Sequence, residues 1–373
     1  MKEQAKVVII GGGITGCSIA WHLARRGWTD ILLIEKGELT SGTTFHSVGL
    51  VSQFRTSPAL MRLMNYSIGL YDQFRDEGAN NIGWHKVGSL RLASSPNRLK
   101  ALQRQVSRAR GLGLDVGTIT ASEALDIAPF LSPGGIEGAV HIPDDGWLDP
   151  NGITVEFAKR ARELGVAIET NCRVTGIGRD AAGAVTHVET DRGIVQTTIL
   201  LNAAGQWAPR LSAMVGAITP MVPVMHQYVT TRHIPGHELP EQTPVVRDPD
   251  NLFYLREEVG GFLVVARGGG RDSPLHGGEQ HQGREEGSQW SEESRGGGGN
   301  GGSAGYRRRG RGQARCPFRN ETHGEAHEPP QPVKQRWFRR YLVAVSQRQY
   351  PVPVFYDGLH DNGFAGFTLG VKG

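Results

Sequence analysis

Three groups of residues have types and spacings that could do chemistry. The first is Gly11-Gly12-Gly13-Ile14-Thr15-Gly16, a Gly-x-Gly-x-x-Gly run with an acid, Glu35, about 20 residues further on. In such a run Gly11 permits a tight turn and Gly13 lets a pyrophosphate approach backbone N–H groups at a helix start. Gly16 lets helix and strand pack closely, and Glu35 would accept hydrogen bonds from ribose hydroxyls. The second is the loop Ser41-Gly42-Thr43-Thr44-Phe45-His46, closing in Gly49-Leu50, whose small residues leave backbone amides open to a phosphate or a ring. A histidine in such a loop is ordinarily solvated. The third is acidic: Asp144-Asp145 and Asp149 mimic a metal site, but the surrounding Pro143, Gly146 and Pro150 read equally as turn and helix-capping chemistry, and no metal is assigned.

The elements that must position these residues follow from periodicity. Lys6 to Ile10 is a β-branched run suited to a strand covered on both faces. Ile19, Ala20, Leu23 and Ala24 follow at helical spacing, with Gly27 as the stop, and Ile31 to Ile34 is a second strand ending at Glu35. This strand–turn–helix–strand context makes the glycine run specific, although NAD and FAD share it and the unit alone leaves that choice open. Trp84 to Ala93 reads as a turn and a strand. Leu99 to Leu112 reads as a helix whose arginines form a solvated face. Asp149 is a plausible N-cap with Pro150 at N1, ahead of Val155, Ala158, Ala161 and Leu164 on one helical face. From Val166 to Leu201 short β runs form a meander and a return strand. That strand ends in Ala203-Ala204-Gly205-Gln206-Trp207, small residues that fit a backbone passing close to a dinucleotide at a strand's carboxyl end. Met221 to Thr231 and Arg247 to Arg256 look like strands of an antiparallel sheet.

The Ser41-Gly42-Thr43-Thr44-Phe45-His46 segment, with Trp84 to Ala93, resembles the dimethylglycine and sarcosine dehydrogenase group of the D-amino-acid-oxidase-like flavoproteins, over residues 5 to about 264. The resemblance implies FAD, held covalently through its 8α-methyl carbon by His46. Such a bond prevents flavin loss and raises the reduction potential, which suits hydride abstraction from an unactivated N-methyl group. It implies that Val174 contacts adenine through its backbone, and that His226 and Tyr254 approach the reactive face of the flavin. The implied fold is an α/β FAD-binding Rossmann part, residues 5–90 and 150–210, with an antiparallel β-rich substrate part, residues 84–148 and 215–264.

The implied reaction oxidises a small N-methylated amine or amino acid, with a flavoprotein or oxygen as electron acceptor. A hydride can leave the N-methyl carbon only when the amine lone pair is free, so His226 could take the ammonium proton while Tyr254 hydrogen-bonds the substrate or tunes that histidine. Each could instead simply fill a sheet face. Arg256 is a candidate for a substrate carboxylate, with an ordinary strand-edge arginine as the alternative.

Composition bounds the partners. The 373 residues are 38% hydrophobic with a formal charge of +4, and basic and acidic residues are mixed through the first 265, so no nucleic-acid partner is expected. Cys17, Cys172 and Cys316 share no metal or disulfide spacing, which points to a reducing compartment. No apolar run approaches a membrane span and no basic leader is visible, so the cytoplasm is expected, or the mitochondrial matrix if a leader is missing.

Residues 266–333 are dominated by Gly, Arg, Glu, Gln and Ser and read as a low-complexity, Gly-rich disordered segment; residues 334–373 are unassigned. A frameshift or misannotated exon near residue 265 would explain the change. An RGG-like segment around Arg307 to Arg311 is the rival. Functional alternatives are therefore an inactive, truncated product, or a noncatalytic regulator, since the superfamily includes a phosphatase regulatory subunit. That subunit lacks a histidine at the place of His46, so His46 favours catalysis.

Overall fold

The computed structural model describes residues 1–221, 228–232 and 239–266. The readings made for His226, for the glycine-rich stretch beyond Ala266 and for residues 334–373 lie outside the described residues.

The β-branched run becomes β1 (Val7–Ile10), every residue of it buried. It lies between β2 (Ile31–Ile34) and β12 (Ile199–Asn202), both parallel to it, with β8 (Ala167–Glu169) outermost beyond β2. A strand in that place must be apolar on both sides, because helices cover one face and a second sheet covers the other. On one face α1 (Ile14–Arg25) packs Ala20, Trp21 and Ala24 with Phe157, Ala158 and Ala161 of α5 (Pro150–Glu163). Trp21, Phe157 and Phe74 meet in pairs at 5.3–5.5 Å between ring centroids. Burying one such ring stabilises by roughly 1.5–3 kcal/mol. On the other face the meander β9 (Val174–Arg179), β10 (Val185–Thr190) and β11 (Gly193–Gln196) contributes Val174, Val188 and Val195 to a core with Val8, Ile10, Leu32 and Ile34.

Local signals end and begin these helices. Gly27, at φ +83°, donates to Ala24 and stops α1. Asp149 accepts from the N–H groups of Asn151 and Gly152 at 3.0 Å, with Pro150 opening α5.

The second large sheet has seven strands in the order β13 (Tyr228–Thr230), β16 (Gly261–Ala266), β15 (Phe253–Glu258), β14 (Val245–Asp248), β4 (Ser89–Ala93), β6 (Gly138–Ile142) and β5 (Gly117–Ile119). It is antiparallel except where β14 runs parallel to β4. Arg247 to Arg256, read as one strand, is a hairpin: Asp248 accepts from the N–H groups of Asp250 and Asn251, and Leu252 takes φ +55°. One face of the sheet packs Leu90, Leu92, Val246 and Leu255 against α4 (Ala121–Ile127). Tyr254, next to Leu255 on β15, points the other way, and there it meets Val48 together with Leu263 and Val265 of β16.

Candidate functional site

The glycine run lies where β1 hands over to α1. Gly11 has φ +117°, and a Cβ on it would overlap the carbonyl oxygen of Ala203 at the end of β12. A Cβ on Gly16 would overlap the carbonyl oxygen of Gly11, so the helix rests directly on the strand end. Gly12, an unspecified position in the fingerprint, is as constrained: its Cβ would come 2.7 Å from Leu39 and 2.8 Å from the Cβ of Glu35. Nothing local in the sequence marked it, because both neighbours arrive from the far side of β2.

The hydroxyl-rich loop folds onto this junction as a short 3₁₀ turn, Thr43–His46. The Ile14 N–H, one of the first-turn donors that no helix can satisfy internally, donates to Thr44 Oγ1 at 3.1 Å. Gly13 has no room for a side chain beside it, since its Cβ would lie 2.9 Å from the same oxygen. Thr43 is buried and its Oγ1 has no hydrogen-bond partner among the described residues; it stands 3.7 Å from where a Cβ on Gly205 would be. Gly42 faces the Trp207 ring, which also carries the Lys36 ammonium 3.4 Å from its centroid. Ala204, Gly205 and Trp207 thus meet the loop and the fingerprint at one place. Ser41 does not join them: its side chain is exposed and donates to the Glu38 carbonyl at 2.7 Å.

Glu35 is already engaged by the protein. Its carboxylate accepts from the Gly12 N–H at 2.7 Å and the Gly37 N–H at 2.9 Å, tying the glycine run to the end of β2. The segment leading into Val174 passes alongside, with the Cys172 N–H donating to the Glu35 carbonyl at 2.9 Å. Cys17, beneath the glycine run, is buried, and burial together with the Glu35 charge pushes its thiol up to about 12, which keeps it protonated and unreactive.

His46 ends the 3₁₀ turn, half-buried, its ring edge-on to that of Phe45 at 5.2 Å. Gly49 (φ +72°) follows, with no room for a Cβ against the Leu148 carbonyl. Leu50 begins β3 (Leu50–Val51), which pairs with β7 (Gly146–Trp147). Val48 and Leu50 belong to the same apolar cluster as Tyr254, which brings the tyrosine of the large sheet to the chain just past His46. Arg256 sits on an interior strand rather than at an edge. Its Nε donates to the Val48 carbonyl at 2.9 Å, it pairs with Glu258, and its guanidinium lies 4.3 Å from the Trp147 centroid.

The acidic cluster separates into three roles. Asp149 caps α5, Asp144 pairs with Lys86 at 2.7 Å, and Asp145 is fully buried. Asp145 accepts from the Gln53 N–H at 2.8 Å and the Ser89 hydroxyl at 2.6 Å, and burial raises its carboxyl above the ordinary range. Arg55 and Arg91, also buried, act on it electrostatically or are acted on by it. Arg91 could have been noticed in Ser89-Leu90-Arg91-Leu92-Ala93, where an arginine shares its strand face with only small residues.

The arrangement fits a dinucleotide. Thr43 holds a buried hydroxyl, with no hydrogen-bond partner among the described residues, toward Gly205, and the Glu35 carboxylate retains lone pairs beyond its two backbone bonds.

Known proteins agree. The rat (Rattus norvegicus) mitochondrial dimethylglycine dehydrogenase is 36% identical over 263 residues, 70% of this chain and 31% of that protein. Human (Homo sapiens) mitochondrial sarcosine dehydrogenase is 35% identical over 272 residues, 70% of this chain and 29% of its own length. The mouse (Mus musculus) mitochondrial pyruvate dehydrogenase phosphatase regulatory subunit is 34% identical over 265 residues, covering 70% of this chain and 30% of that protein. The chain therefore spans about a third of the length of these curated relatives. Among solved structures, L-proline dehydrogenase from P. horikoshii superposes with a TM-score of 0.67 at 28% identity, covering 79% of this chain and 77% of that one. The profile of the FAD dependent oxidoreductase (DAO) family matches residues 6–294, continuing past the place near residue 265 where the family pattern was read as ending. With most of its length matched by that profile, the chain belongs to the FAD dependent oxidoreductase (DAO) family.

Proposed function

We propose that this chain is the oxidoreductase part of an enzyme that oxidises an N-methylated amine or amino acid of the dimethylglycine or sarcosine kind. The observation that carries the reading is the convergence of three segments distant in sequence, Gly11–Gly16, Gly42–His46 and Ala204–Trp207, with Tyr254 of the large sheet in one apolar cluster with Val48 and Leu50. Residues 5–90 and 150–210 form the cofactor part of this reading and 84–148 and 215–264 the substrate part.

FAD bound there supplies a hydride acceptor. Glu35 orients the adenosine ribose, the Val174 backbone meets adenine, and Gly11, Gly13 and Gly16 let the pyrophosphate reach the first turn of α1. Thr43, Thr44 and the Gly42, Gly49, Leu50, Ala204, Gly205 and Trp207 backbone surround it, with Ser41 at the loop's outer edge and His46 as the covalent anchor. His226 holds the proton released when ammonium becomes free amine, and Tyr254 orients the substrate. Loss of hydride from the methyl carbon leaves a methylene iminium, and addition of water to it releases formaldehyde and the demethylated amine. The electron acceptor is a second flavoprotein or oxygen. No helix among the described residues is long and apolar enough to cross a membrane, and the curated relatives named above are mitochondrial.

The similarity to the phosphatase regulatory subunit supports a second reading, a noncatalytic regulator. One preparation separates the two. The purified protein is denatured in acid, its flavin is followed by fluorescence, and the peptide carrying His46 is weighed, before formaldehyde release from dimethylglycine and sarcosine is assayed. Flavin on that peptide with formaldehyde released is the expected result. Flavin freed on denaturation removes the covalent anchor but keeps the oxidoreductase. Protein without flavin favours the regulator or an inactive product.

A further inference from the structure

The turn that ends in His46 is held from two sides. Before the histidine, Thr44 Oγ1 accepts the Ile14 N–H at 3.1 Å, which ties the turn to α1. After it, the Val48 carbonyl accepts Arg256 Nε at 2.9 Å, which ties the turn to β15 of the seven-stranded sheet. Between these ties the Ser47 N–H donates to the Thr44 carbonyl at 3.1 Å and the Gly49 N–H to Ser47 Oγ at 3.2 Å. The Val48 side chain is buried with Tyr254, Leu263 and Val265, but apolar packing is non-directional and sets only how deep the chain lies. The orientation of the Val48–Gly49 peptide is set by the hydrogen bond to its oxygen, which is directional.

Each guanidinium nitrogen of Arg256 has a protein partner. Nε holds Val48, Nη1 donates to the Glu257 carbonyl at 2.6 Å, and Nη2 pairs with Glu258. The group lies 4.3 Å from the Trp147 centroid, and Trp147 is itself fixed. Its backbone exchanges hydrogen bonds with that of His85 at 2.8 and 3.1 Å, it pairs with Leu50 across β3, and its ring stacks on His85 at 3.9 Å between centroids. Burial pulls the guanidinium below its ordinary value, against the opposing charges of Glu258, Glu257 and Asp149. An apolar side chain would fill this place on the sheet face without the cost of burying a charge, so the arginine calls for a reason beyond filling it. The main-chain carbonyl it reaches is two residues from His46.

We propose that Arg256 is a positioning residue for the bond between His46 and the flavin: its hold on the Val48 carbonyl sets the imidazole at the flavin 8α carbon, while FAD itself is bound without it. This deepens the covalent anchor proposed above and rests on it. In the step concerned, an imidazole nitrogen of His46 joins the 8α carbon. The imidazole N–H and one methyl C–H break, and both protons pass to the flavin ring with the electron pair of the C–H bond. Oxygen then takes up that pair and the two protons as hydrogen peroxide. Such a step depends on placement, since a displacement of about 1 Å costs roughly 100-fold in rate. Reversible binding of FAD rests instead on the glycine run, Glu35 and the Thr43–Gly205 junction, none of which Arg256 touches.

The full chain, prepared flavin-free from a riboflavin-depleted host, is mixed with FAD in air. Affinity is read from the quenching of flavin fluorescence on mixing, and attachment from the flavin left on the His46 peptide after acid denaturation at successive times. Arg256→Met is expected to attach flavin at least about tenfold more slowly than the parent, with FAD affinity within about threefold. Arg256→Lys, which restores the charge and a donor, is expected to fall between, a rescue confined to attachment. Trp147→Leu removes the surface on which the guanidinium rests and is expected to slow attachment in the same way, which keeps the test open should Arg256→Met not fold. Attachment at the parental rate by a folded Arg256→Met, or by Trp147→Leu where only that variant folds, overturns the inference. So does a loss of affinity that matches the loss of attachment, which marks a structural role alone. Parent protein that binds FAD and never carries it on His46 rejects the covalent anchor and this inference with it; parent protein that binds no FAD rejects the flavin reading from which both follow.

Discussion

Replacing Glu35 tests whether it is a cofactor contact alone or a structural tie as well. Its carboxylate receives two backbone N–H bonds, from Gly12 at 2.7 Å and Gly37 at 2.9 Å, and these join the glycine run to the end of β2 before any ribose is present. Hydrogen bonds to a charged group contribute about 1.5–3 kcal/mol each, and the half-buried position of Glu35 argues for the lower end. Glu35→Ala, which removes both acceptors, should then cost about 3 kcal/mol. Glu35→Gln keeps one acceptor oxygen and should cost about half of that. For a folded unit of this size, about 3 kcal/mol lowers Tm by roughly 6–12 °C. The assay is thermal and urea unfolding of flavin-free protein from a riboflavin-depleted host, since bound flavin would add its own stabilisation. Flavin-free Glu35→Ala as stable as the parent would refute the structural role and leave Glu35 as a ribose contact only.

Two further perturbations follow from the same geometry. Gly16→Ala puts a methyl group inside the Gly11 carbonyl oxygen, a backbone atom that cannot rotate away, and should cost about 1–3 kcal/mol or more by overpacking. Gly69→Ala is the matched control: it lies within α2 (Pro58–Asp76) with nothing within 4 Å of its Cβ, and should stabilise by about 0.5–1 kcal/mol in the same urea titration. A destabilised Gly69→Ala or a neutral Gly16→Ala would contradict this. Burial raises the Asp145 carboxyl, against the opposing pull of Ser89, Gln53 and Arg91, so the folded chain keeps this proton to higher pH than the unfolded chain does. The group's contribution is complete below the unfolded value and declines as pH rises through the folded one. Asp145→Asn is neutral throughout and should gain on the parent in unfolding free energy as pH rises above about 4; a constant or opposite difference would show that the carboxyl is not raised.

Much of the cofactor side was legible from the sequence because its determinants are local. A β-branched run buried on both faces, a glycine turn, a helix stripe and a following acid all fall within about 30 residues, as the βαβ unit requires. The Asp149-Pro150 start of α5 was likewise readable from adjacent residues. The strand expected over Arg247 to Arg256 is a hairpin because Pro249, Asp250 and Asn251 supply turn chemistry between its two halves.

Contacts between distant segments came only with the tertiary structure. That Thr44 would accept from the first N–H of a helix 30 residues earlier, and that Asp145 would be a buried acceptor rather than a turn residue, depend on how loops close over strand ends. The row of Tyr254, Arg247 and Arg91 depends on β14 pairing with β4 in one register, and a slip of one residue between those strands would put Arg91 on the opposite face from Arg247 and Tyr254. Periodicity fixes which residues share a face of one strand. Which strands become neighbours, and in what register, is decided by burial summed over the whole sheet, so the chemistry of the sheet face emerged only when the chain was folded.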